Sequence, residues 1–107
     1  MKKAASKKAG ARTIRVDVTW EDIARGKKGE ATSCPIARAL DRAGVAGAEV
    51  GGFEVDFTDP WGESAKMPKR ASAFVEAFDD DRTSVRPFSF SLRLPKGVKV
   101  KQSRGAR

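Results

Sequence analysis

TIRVDVTWEDIARG, Thr13 to Gly26, contains a change of rhythm that decides how the chain begins to fold. Ile14, Val16, Val18 and Trp20 alternate with Thr13, Arg15, Asp17 and Thr19. A period of two marks a strand with one buried face, and on that pattern Trp20 belongs to the core. The alternation then stops. Thr19-Trp20-Glu21-Asp22 approximates a capping box, with Asp where Glu is usual, and acids in a first turn suit the positive end of a helix. Gly26 closes that short helix, and the polar GKKGEATS after it reads as a loop.

A second helix follows in SCPIARALDRAG, Ser33 to Gly44. Pro35 suits the first helical position, because its fixed φ matches a helix start and its missing N–H is not needed there. Cys34 is then the N-cap residue. Ile36, Leu40 and Ala43 share a face, and Gly44 supplies a left-handed stop. Cys34 has two readings. A thiol at a helix N-terminus can be favoured as the thiolate and act as a nucleophile. Alternatively it packs as a small apolar residue beneath the helix start. The first reading needs a base, and without histidine only Lys27, Lys28 or a distant group is on offer.

Farther along, Phe53, Val55 and Phe57 alternate, while Val50 has the opposite parity. Gly51-Gly52 between them is either a tight hairpin or a bulge in one longer strand. Asp59-Pro60-Trp61-Gly62 has the composition of a type I turn. A helix is expected from Pro68, with Ala71, Phe74 and Phe78 on one face and Val75 beside them. Asp79, Asp80 and Asp81 oppose the negative end of a helix, which should stop near Phe78 to Asp80. RPFSFSLRLP alternates again: Phe88, Phe90, Leu92 and Leu94 one way, Ser89, Ser91 and Arg93 the other. Val98 and Val100 could add a frayed edge beyond Pro95. The order β-α-α-β-β-α-β gives a small α+β domain, a mostly antiparallel sheet of three or four strands with helices on one face.

Composition limits the chemistry. The 107 residues include no histidine, no tyrosine and one cysteine. That excludes an internal disulfide, a Ser-His-Asp or Cys-His catalytic set, and Cys/His metal sites of the usual ligand number. A lone thiol suits a reducing cytoplasm. No apolar run approaches the ~18 residues of a membrane span, and no apolar segment follows the charged start as in a secretory signal. Asp79-Asp80-Asp81 could hold a divalent cation, but adjacent acids diverge and a solvated loop is the simpler reading. Asp56 and Asp59 are a generic acidic pair, and no phosphate-loop glycine pattern is present. The protein is therefore read as non-catalytic, with no metal and no cofactor.

The net charge is +8, and its distribution is uneven. Residues 1–12, with Lys2, Lys3, Lys7, Lys8 and Arg12 and no acid, are expected to form a basic, disordered tail. Residues 96–107 form a second basic tail with Lys96, Lys99, Lys101, Arg104 and Arg107, again without an acid. Residues 13–95 hold 12 basic and 14 acidic residues, so the domain nets about −2 and offers no obvious basic groove. The ten terminal cations are the expected nucleic-acid contacts. They would follow phosphates without reading bases and release counterions, and five such contacts would give a log–log salt slope of roughly −4 to −5 on duplex DNA. Charged ends can also simply maintain solubility or meet any acidic surface. A membrane partner is not expected, because no apolar anchor accompanies the lysines. Trp61 is a candidate stacking platform or interface anchor, or a residue closing the end of the sheet.

Glu21-Asp22-Ile23 with Gly26, followed by Cys34-Pro35-Ile36-Ala37 and Ala39-Leu40, forms an EDI-x-x-G … CPIA-x-AL pattern. That pattern, with FVEAFDDDR and VRPFSFSL between Phe74 and Leu92, resembles small uncharacterised proteins encoded by bacteriophages and prophages. The resemblance spans about residues 13–94 and leaves out the basic tails. It implies an accessory protein acting in the cytoplasm of the host, and it brings no activity or catalytic residue. It also implies that the Cys-Pro pair is a structural helix start. Two functions follow as expectations: non-specific nucleic-acid contact through the tails, or binding to a host enzyme or defence complex that the protein inhibits.

Overall fold

Strand β1 (Arg12–Val18) ends where Thr19 turns the chain into helix α1 (Trp20–Arg25). The computed structural model, which describes residues 12–58 and 61–101, contains both halves of the capping box. Thr19 Oγ1 accepts from the Asp22 N–H at 3.2 Å, and Asp22 Oδ2 accepts from the Thr19 N–H at 2.9 Å. The cap takes Trp20 off the strand and onto the helix, so the period of two no longer sets its direction. Trp20 is 61 % exposed and is not part of the core.

Helix α2 (Pro35–Arg42) begins with Cys34 as N-cap and stops at Gly44, whose φ is +105°. It buries Ile36, Ala37, Ala39 and Leu40. Strand β2 (Glu49–Val50) and strand β3 (Glu54–Thr58) then pair antiparallel, with Val50 opposite Val55. The Gly51 N–H donates to Glu54 O at 2.8 Å, so the two glycines make a hairpin rather than a bulge. Phe53 occupies its tip and is 77 % exposed, although its parity matches that of the buried Val55 and Phe57. The tight turn breaks the phase one residue before the strand starts.

After residues 59 and 60, strand β4 (Trp61–Lys66) pairs antiparallel with β3, Val55 facing Ala65 and Asp56 facing Ser64. The strand is not expected from the sequence. Among its described side chains only the small Ala65 is buried, which leaves almost no hydrophobic alternation to detect. Helix α3 (Lys69–Asp80) has Pro68 as N-cap and buries Ala71, Phe74 and Phe78. A 3-10 turn (Arg82–Ser84) leads to strand β5 (Phe88–Leu94).

β5 returns to the start of the domain and pairs antiparallel with β1, placing Arg12 opposite Leu94, Val16 opposite Phe90 and Val18 opposite Phe88. The α+β class and the antiparallel pairing are as expected. The single sheet is instead two, a ribbon β1–β5 and a three-stranded sheet β2–β3–β4, with β4 running beside β5 at the seam. Val16, Ile36, Leu40, Val55, Phe78, Leu92 and Leu94 are fully buried and join both sheets to the helices.

Packing continues past the strand at which the second tail was expected to begin. Val98 is buried and Val100 packs partly against the core. The Lys101 N–H donates to Gly44 O at 2.9 Å, so this segment lies against the end of α2 rather than forming a strand edge. The backbone of Lys101 sits so close to Gly44 that a β-carbon there would collide with it. Residues 96–101 therefore belong to the folded body.

Asp22 does more than cap α1. It is completely buried and accepts from both guanidinium nitrogens of Arg42, Nη1 to Oδ1 at 2.8 Å and Nη2 to Oδ2 at 2.6 Å. Arg42 Nη2 also donates to Asp17 O at 2.7 Å, and Arg38 Nε stands 3.5 Å from Asp22 Oδ1. Burial pushes the Asp22 carboxyl up, but the Arg42 and Thr19 hydrogen bonds outweigh it and hold its pKa below the ordinary value. The Asp22 hydrogen bonds likewise raise that of Arg42. This charged clamp ties the end of β1 to both N-terminal helices.

Candidate nucleic-acid interface

The β1–β5 ribbon buries Val16, Val18, Phe90, Leu92 and Leu94, with Ile14 and Phe88 partly covered. Strand geometry then sends the alternate residues outward. In register these are Thr13 with Arg93, Arg15 with Ser91 and Asp17 with Ser89. Arg15 Nε lies 2.8 Å from Asp17 Oδ1, and its Nη2 donates to Ser89 Oγ at 3.3 Å. Ser89 also donates to Asp17. Those hydrogen bonds, from Ser89 first and then Arg15, hold the Asp17 carboxyl below its ordinary range. Asp17 thus stays charged and orients Arg15.

A shallow cleft of about 470 Å³ runs along this face, lined by Arg15, Ser89, Phe90 and Ser91 of the ribbon and by Pro68 and Arg70 from the start of α3. Arg70 is held with its guanidinium carbon 5.7 Å from the centroid of Phe88, a cation–π distance. Phe88 in turn stacks on Phe74 at 4.8 Å, so the arginine rests on a packed aromatic floor. Among the described residues, no acidic side chain lines the cleft.

Arg12 opens β1 opposite Leu94, and Lys96 follows Leu94 by two residues, so both stand at one end of the ribbon. Arg12, Lys96, Lys99 and Lys101 are exposed. None forms an ion pair with another of the described residues. Lys2, Lys3, Lys7, Lys8, Arg104 and Arg107 lie outside the described residues, as does the side chain of Trp61, which opens β4.

The domain is not featureless in charge. Arg15, Arg70 and Arg93 were not among the expected contacts. Arg15 and Arg93 share the outer face of the ribbon, and Arg70 meets Arg15 across the cleft. The outward parity of Arg15 and Arg93 is visible along each strand, but only the pairing of the first strand with the last brings the two together.

Asp79, Asp81 and Cys34 have structural roles. Asp79 Oδ1 accepts from the Gly29 N–H at 3.2 Å. Asp81 Oδ1 caps the 3-10 turn, accepting from Thr83 N at 3.0 Å and Thr83 Oγ1 at 2.7 Å. Cys34 is only 7 % exposed. Burial raises its pKa and the Asp79 carboxylate adds to the rise, while the N–H groups of Ile36 and Ala37 offset only part of it. The group at the start of α2 is a neutral thiol packed under the helix.

Comparison with family models, curated proteins and solved structures finds no match. Among the described residues no helix is long and apolar enough to cross a membrane.

Proposed function

We propose that this is a non-catalytic accessory protein of the bacteriophage type, working in the host cytoplasm, whose cationic ends contact nucleic acid by neutralising phosphates without reading sequence. The supporting observation is that the basic ends continue onto the folded surface as exposed cations, Arg12, Lys96, Lys99 and Lys101, that pair with no carboxylate among the described residues. An unpaired surface cation is free to take the place of counterions on a phosphate backbone. The neutral, buried Cys34 supports the non-catalytic part of the reading.

The test is the salt dependence of binding by the full chain and by a Lys2→Ala, Lys3→Ala, Lys7→Ala, Lys8→Ala variant. The full chain should show a log–log slope of roughly −4 to −5 on duplex DNA, and the slope should become shallower by about 0.9 for each contact removed. Equal affinity and slope for the two proteins would remove the N-terminal arm from the account.

A second reading rests on Phe53 and Trp20. They are large apolar side chains left exposed, and Phe53 projects from a hairpin tip. Aromatic anchors of this kind concentrate binding energy at protein interfaces. A host enzyme or defence complex inhibited through the Phe53 hairpin tip should be captured from nuclease-treated lysate by the natural chain and lost with Phe53→Ser.

A further inference from the structure

We infer that the β1–β5 ribbon itself enters the major groove of B-form duplex DNA, which rests on the nucleic-acid reading above and gives it a preferred form of partner. The major groove, about 12 Å wide, admits a two-stranded ribbon, whose strands are about 4.8 Å apart. The outer face of β1–β5 is built slim enough for this. Each of its first two rungs joins one long cation to one small hydroxyl residue, Arg93 with Thr13 and Arg15 with Ser91. The third joins Asp17 to Ser89, both committed to holding Arg15. No large apolar side chain stands on this face.

The surroundings fit the walls of a groove. Arg70 lines the cleft beside the ribbon, propped on Phe88, and Arg12 and Lys96 stand at its end. These are positions for the phosphates that flank a groove while Arg15 and Arg93 reach into it. The other sheet is unsuited to the same partner, because its outward positions include Glu49, Glu54 and Asp56, which repel phosphate. Two arginines among hydroxyls, one of them tied to Asp17, select the shape and potential of the groove more than a base sequence.

An A-form helix offers no such entry, since its major groove is deep and narrow. The experiment measures binding of the full chain to duplex DNA and duplex RNA of identical sequence and length at one salt concentration. DNA should bind at least about tenfold tighter, because only B-form geometry admits the ribbon. A major-groove ligand such as methyl green should displace the protein and a minor-groove ligand should not. Arg93→Ala, at an exposed position with no ion pair among the described residues, should weaken DNA binding about fivefold or more and leave RNA binding unchanged. Equal affinity for the two duplexes, or an unaltered Arg93→Ala variant, overturns groove entry while leaving the phosphate-contact reading standing. Absence of binding to either duplex at low salt overturns both.

Discussion

On the β1–β5 ribbon the outward rungs are Thr13 with Arg93, Arg15 with Ser91 and Asp17 with Ser89; on the β2–β3–β4 sheet they are Glu49 with Asp56, Asp56 with Ser64 and Glu54 with Lys66. Both sheets root their inner faces in the same core, Leu92 and Val16 from one and Val55 and Phe57 from the other. They differ in charge on the side facing water. A nearly balanced total over residues 13–95 is thus the sum of a cationic ribbon with cationic flanks and a sheet rich in carboxylates. Net charge describes the molecule as seen from far away, whereas a partner at contact distance meets one sheet or the other.

The comparison can be broken first from beneath. Leu92 is fully buried under the ribbon, and Leu92→Ala should cost about 3 kcal/mol or more in urea unfolding. Val50→Ala, in a two-residue strand, should cost about half as much, since it removes less buried volume. Equal losses would mean that the ribbon is no more deeply rooted than the sheet.

The ribbon also has a charged tether that the described part of the other sheet lacks, the Asp22–Arg42 clamp reaching Asp17 O. Asp22→Asn should cost about 2–3 kcal/mol, less than for a wholly buried pair because Arg42 remains half exposed. The folded pKa of Asp22 is lowered, so its contribution is complete above the ordinary value of 3.8 and is lost as pH falls through the lowered one. Acid unfolding of the natural chain should show that loss, and in Asp22→Asn the slope of stability against pH below 3.8 should flatten.

Binding sharpens the contrast further. Arg15→Glu with Arg93→Glu should reduce duplex DNA affinity by about tenfold or more, some 1.4 kcal/mol. Glu54→Lys with Asp56→Lys, which adds as much positive charge to the other sheet as the first pair removes from the ribbon, should raise affinity only about twofold if the ribbon is the contact face. Comparable and opposite changes in fluorescence anisotropy titrations would show that overall charge, not the ribbon, governs binding. The smallest effect belongs to Glu49, which faces Asp56 across β2 and β3. Glu49→Gln should stabilise the fold by about 0.5 kcal/mol, read as a small rise in Tm, because it removes a like-charge cross-strand pair.

Much of this architecture was legible in the chain. The capping box at Thr19 and Asp22, the proline start and glycine stop of α2, the Phe74 and Phe78 face of α3 and the alternation of β1 and β5 all express local rules. Errors came where a local rule gave way to a neighbour. Trp20 kept strand phase in the sequence but belongs to a helix in space, and Phe53 kept it but lies in a turn. β4 escaped notice because its inward position is an alanine. Val98 and Val100 read as a frayed strand edge, yet they pack against the core, where Gly44, with no side chain, leaves room for the segment carrying them. The candidate interface was half visible: lysines near the ends can be counted, but Arg15 and Arg93 become neighbours only through a pairing between strands some seventy residues or more apart, and Arg70 joins Arg15 only across the cleft.

The sealed position of Cys34 has a practical consequence. Because it is the only sulfhydryl in the chain and lies beneath the first turn of α2, an alkylating reagent must wait for that turn to lift. The rate of modification, divided by the rate for an open peptide, then reports the free energy of that local opening without any engineered probe. A duplex gripping the ribbon would register in the same clock if it steadied the helix packed behind.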